Sequence, residues 1–164
     1  MTTTTSEHYP YDDHPLQAAA QTSWTDRNTS LDALHTLEAA LSEPAPTRRH
    51  QWVETVRGAL DALQHALDVQ AAGDSEAASL LSEIADDEPR LIPRIDRLRR
   101  QHQGLRDGVR ATLDELGVQA DHGHTDTAEI RDRVAELARR FRHHRAHEAD
   151  LIYEAVNINL GTGD

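Results

Sequence analysis

Four stretches of this chain repeat apolar residues every three to four positions, and that spacing marks amphipathic helices. Leu31, Leu34, Leu37 and Leu41 form the first line; Val53, Val56, Leu60, Leu63 and Leu67 form the second. The third runs through Leu91, Ile95, Leu98, His102, Leu105 and Val109 to Leu116. The fourth carries Ile130, Val134, Leu137, Phe141, His144, Glu148, Leu151 and Ala155. No strand-like alternation competes with these periods. Thr29 or Ser30 reads as the first N-cap, with Pro44 and Pro46 as the stop. The second helix is expected from Thr47 to Gly73, with Gly73 at the left-handed C′ position. A short helical piece, Ser75 to about Asp86, bridges to the third. Pro89 suits a first helical turn, whereas Pro93 removes another amide and is expected to bend the helix. The third helix is expected to end near Leu116, before Gly117. Asp126 and Glu129 read as a capping box for the fourth. Short connections favour antiparallel neighbours, so the expected fold is all-α. It is an up-down-up-down four-helix bundle over residues 25–160, with a flexible tail at 1–24, in which Leu16 to Gln21 has the makings of a turn or two of helix, and a short one at 161–164. Trp24 is expected to mark where the chain first docks on the core.

Composition narrows the function. The formal charge is −12, and every basic residue is Arg. Such acidity argues against a general nucleic-acid binder and against docking on an anionic membrane surface. Cys is absent, which excludes disulfides, thiolate chemistry, Cys-ligated zinc and iron–sulfur clusters. No apolar run approaches the ~18 residues of a membrane span. The opening MTTTTSEHYPYDDHP has no apolar signal-peptide core, so a cytoplasmic protein is expected.

The informative residues are the polar ones on apolar lines. His102 lies between Leu98 and Leu105, and His144 and Glu148 lie between Phe141 and Leu151. A His and a Glu four apart share one helix face. A buried carboxylate needs a cation or strong donors, and a metal ion between helices would serve all three side chains. Counted from the loop that joins their helices, His102 and His144 lie at depths that agree within about one helical turn. The competing reading makes the two His hydrogen-bonded core residues and pairs Glu148 with an Arg.

The segment HHRAHEADLIYEA, residues 143–155, resembles the last helix of hemerythrin-like (HHE cation-binding) domains. His144, Glu148 and Leu151-Ile152-Tyr153 occupy the family's His, its Glu four later and its apolar cluster. EPRLIPRIDRLRRQHQGL, residues 88–105, is similar to the third helix of that family, with His102 at a ligand position. LDALHTLEAAL, residues 31–41, is similar to its first helix, with His35 at a ligand position. In the second helix, where the family has a His and a Glu four apart, this chain continues its line to Gln70 and Asp74. The resemblance implies a bundle around two non-heme irons, with imidazole ligands and bridging carboxylates. The implied ligand set is His35, His102, His144 and Glu148, with Asp74 as the second-helix carboxylate. The implied role is binding or sensing dioxygen, nitric oxide or peroxide. A metal-free bundle of the same fold, acting as a protein-interaction or scaffold module, stands beside it. So does a di-iron enzyme that consumes peroxide.

Other templates fail. Glu-x-x-His is absent, and an HExxH zinc site would need His where Leu151 stands. P-loop, GxGxxG and GxSxG motifs are absent. His143 and His147, four apart beside the core trio, read as a solvated stripe or as a surface chelate for zinc or nickel. They also suit a supporting role as donors behind the core ligands. His65, between Asp61 and Asp68, reads as a surface residue. Tyr153 reads as core, rim or a donor to a ligand carboxylate. The Arg-rich runs 94–100 and 139–145 read as solvated faces laced with ion pairs.

Overall fold

A computed structural model describes the backbone of residues 15–43, 49–72, 76–123 and 126–161, and the side-chain surroundings of 29–43, 49–72, 79–123 and 126–157. The described residues are all helical, without strands. The elements are α1 (Pro15–Ser42), α2 (Arg49–Ala71), α3 (Glu76–Asp87), a 3-10 turn (Pro89–Leu91), α4 (Ile92–Asp121) and α5 (Thr127–Gly161). None of the described helices is long and apolar enough to cross a membrane.

The apolar lines land where their periods put them. Leu34, Leu37, Leu60, Leu63, Leu67, Val109, Leu116, Val134 and Phe141 are buried in one core shared by α1, α2, α4 and α5. Each such side chain contributes about 1.5–3 kcal/mol of transfer free energy. Leu80, Ile84, Leu91, Ile95, Leu98, Leu151, Ile152 and Ala155 form a second core, made by α3, the 3-10 turn and parts of α4 and α5. Trp52 anchors the first core. Its indole Nε1 donates to Ala40 O at 3.0 Å, and the Arg131 guanidinium lies 5.3 Å from the ring centre.

The helix ends differ from the sequence expectation in three places. α1 begins at Pro15, so Thr29 and Ser30 lie inside it rather than capping it. Leu16-Gln17-Ala18-Ala19-Ala20 has high helix propensity, and Pro is favoured in a first turn. At the start of α4, both prolines fall where a backbone amide is not required. Pro89 opens the 3-10 turn and Pro93 falls in the first turn of α4, where amides have no intrahelical acceptor. Finally, α4 runs through Gly117 to Asp121; among the described residues, the glycine with a left-handed backbone is Gly123, at φ 66°. Asp126 caps α5 as expected: its Oδ1 accepts from the amides of Ala128 and Glu129 at 3.0 Å each. The reciprocal half of the box is replaced, because the Asp126 amide donates to Gln119 Oε1 and Glu129 pairs with Arg133. Residues 1–14, 44–48, 73–75, 124–125 and 162–164 lie outside the described residues, among them Pro44, Pro46, Thr47, Gly73 and Ser75, as does the side chain of Trp24.

α4 and α5 approach closely because Gly108 has no side chain. A Cβ there would stand 2.7 Å from Leu137 Cδ2.

Candidate functional site

His102, His144 and Glu148 occupy the seam between the two cores. On α4, Leu98 belongs to the second core and Leu105 to the first, with His102 between them. On α5, Phe141 and Leu151 bracket His144 and Glu148 in the same way. At ~100° per residue, His102 keeps the face of Leu98 and Leu105, so the helix that buries the leucines must turn the imidazole inward. His144 and Glu148 are 6% and 5% exposed, and His102 is half-buried. The two imidazole rings lie 5.6 Å apart, centre to centre, at 54°.

Each group is held differently. His102 Nε2 donates to the carbonyl of Leu67, on α2, at 2.9 Å. A carbonyl only accepts, so Nε2 carries the proton and Nδ1 keeps the lone pair of the neutral ring. One turn on, Arg106 pairs with Asp68 at 2.5 Å, so His102 and Arg106 together clamp α4 to the end of α2. Asp68 also accepts from Gln64 at 3.0 Å, and these partners hold its carboxyl below the usual carboxylate range. His144 Nδ1 is buried without a hydrogen-bond partner. Burial, reinforced by His102, Arg145 and His147, pushes the His144 pKa down to about 3. Burial also lowers that of His102, against the opposing pull of the Leu67 carbonyl. Both rings are therefore neutral at pH 7, the form in which imidazole offers a lone pair.

Glu148 has a partner inside its own helix. Arg145 Nη1 reaches Glu148 Oε2 at 2.5 Å, with side chains 9% and 7% exposed. Nothing in the apolar period singles out Arg145, which sits in a run of arginines that otherwise face solvent.

A cavity of about 330 Å³ opens beside the trio, with Gln70, Leu81, Ser82, Leu98 and Arg106 also in its wall. Gln70 holds the place where the resemblance implies a histidine, and the structure does bring it to the site. Asp74 lies outside the described residues. His35 is exposed on α1 and does not line this cavity. At ~100° per residue it falls on the far side of α1 from Leu34, Leu37 and Leu41. His65 is exposed, as its flanking aspartates suggest, and Tyr153 is 73% exposed.

A metal ion would find two facing imidazoles and one carboxylate here. Among the described residues, no three His, Asp or Glu side chains already converge on one point. Glu148 would have to exchange Arg145 for the ion. The donors fit a single ion of the imidazole-favouring class, such as iron or zinc. A second, carboxylate-bridged ion would need donors from segments outside the described residues. Comparisons with known proteins add no relative: no family model, no curated protein and no solved structure matches this chain.

Proposed function

We propose that this protein is a hemerythrin-like up-and-down four-helix bundle that binds non-heme iron between α4 and α5. His102, His144 and Glu148 are the ligands, and the cavity beside them admits a molecule the size of dioxygen, nitric oxide or peroxide. The observation that carries this reading is the pair of neutral imidazoles facing each other 5.6 Å apart, one with a buried nitrogen that has no partner. Leaving such a nitrogen unpaired costs about 1–3 kcal/mol, and a ligand supplied at that point recovers it.

The residues divide the work. The Leu67 carbonyl fixes the proton of His102 on Nε2 and orients the ring, as a partner behind a metal ligand does. Burial keeps His144 free of a competing proton at neutral pH. Glu148 supplies the negative charge, and Arg145 balances it whenever the cation is away. Bound iron would supply redox chemistry and an open coordination position. Leu98, Leu105 and Phe141 shield the seam on either side and limit water.

The test is iron content of full-length protein from iron-supplemented cells. About one iron per chain is expected, falling to background in His144→Ala. Background iron in the wild-type protein overturns the reading.

One observation favours a second reading. The Arg145–Glu148 pair already neutralises the buried carboxylate without a metal. On that reading the polar seam only sets the packing of a protein-interaction bundle, and a chelator leaves the melting temperature unchanged.

A further inference from the structure

On the neighbouring face of α5, His143 and His147 form a second imidazole pair that takes no part in the seam. Their ring centres lie 4.0 Å apart, edge to face at 61°. His143 is exposed and His147 half-buried. Asp150 continues the same stripe: at ~100° per residue, positions 143, 147 and 150 fall within about 60° of one another. Across the helix interface, Gln101 of α4 places its amide Nε2 3.3 Å from His147 Nδ1. The Oε1 of that same amide is buried and has no partner.

We propose that His143 and His147 are a transition-metal site of their own, a two-imidazole chelate for Zn²⁺ or Ni²⁺ that is independent of the iron reading. A helix already holds an i,i+4 pair on one face, so little side-chain freedom remains to be lost on chelation. Imidazole nitrogen suits Zn²⁺ and Ni²⁺, and water completes the coordination shell. Gln101 sets the ring for it. A half-turn of its amide brings Oε1 to His147 Nδ1, whose N–H then donates to it. The imidazole Nε2 of His147 is then left with its lone pair. Metal-bound histidines are held by such a bond, and here it also satisfies the orphaned oxygen. The Asp150 carboxylate adds attraction for a cation. On the α4 side, Arg94 and Arg97 line a cleft of about 200 Å³ with His147. Arg94 is neutralised by its ion pair with Glu154.

The experiment is calorimetric titration of full-length protein with Zn²⁺, in the wild type, His143→Ala, His147→Ala and His144→Ala. The wild type is expected to bind Zn²⁺ with a micromolar dissociation constant. Substitution of either surface histidine weakens that event by roughly tenfold or more, and His144→Ala leaves it in place. His143 is exposed, whereas His147→Ala also removes the partner of the Gln101 amide, so circular dichroism is used to verify that both variants fold. Because the seam also suits zinc, the decisive arm is the His144→Ala background: Zn²⁺ binding there that survives the further substitution His143→Ala or His147→Ala overturns the proposal. So does binding that disappears only in His144→Ala, or its absence from the wild type. Loss of iron from the core alone would leave this site intact, so the two proposals fail separately.

Discussion

The two faces of α5 carry nearly the same chemistry in opposite surroundings. Inward, His144 meets His102, and Glu148 is paired with Arg145. Outward, His143 meets His147, and Glu154 is paired with Arg94. The inner pair spans two helices, is walled by leucines, and has its protonation suppressed by burial. The outer pair lies on one helix at the rim. Burial thus turns ordinary side chains into a costly polar seam, while the same residues on the rim cost the fold little. The lesson is that ligand type does not separate a core site from a surface site; the apolar neighbours on the line do.

The sharpest way to break the comparison is to remove the two arginines in turn. Arg145→Met leaves Glu148 buried and uncompensated and is expected to cost about 3–5 kcal/mol in urea unfolding. Arg94→Met, on the rim, is expected to cost no more than about 1 kcal/mol. Equal costs would mean that Glu148 finds water or another partner as readily as Glu154 does.

Acid probes the seam next. The pKa of folded His144 lies below its unfolded value of 6.5, so the unfolded chain binds the extra proton as pH falls. The stabilisation is therefore complete above about pH 6.5 and is lost progressively toward pH 3. For metal-free protein the full loss is on the order of 5 kcal/mol, read from melting temperature against pH. His144→Leu should flatten that dependence, and an unaltered profile would show that another group causes it.

Metal linkage gives a smaller effect. If the seam holds iron as proposed, ferrous iron at about 100 times its dissociation constant should add about 2.7 kcal/mol to stability. That gain should vanish in His144→Ala and persist in the His143→Ala, His147→Ala double variant. The smallest effect concerns Gln101. Its replacement by Leu should weaken Zn²⁺ on the outer pair by about tenfold, or ~1.4 kcal/mol, without changing iron content.

Much of this molecule is legible in its sequence. Leu60, Leu67, Leu98 and Phe141 are buried where a 3.6-residue period puts them. The same period places His102, His144 and Glu148 among them, because a helix has no choice about which residues share its face. The Asp126 cap is equally local. The start of α1 is less legible, since alanines make helix without leaving an apolar stripe. Gln70 was readable as a member of the second line, but not as a wall of the cavity.

What one chain position says about itself, its helix and its face, was settled by sequence, because the pattern acts over three or four residues. The pairings were settled only in three dimensions. That Arg145 turns in to Glu148, that the Leu67 carbonyl takes the proton of His102, that Gly108 lets α5 close on α4, and that two cores leave a polar seam between them all depend on contacts between helices or on one rotamer among many. Such contacts have no period in the sequence, and packing selects them only after the helices have met.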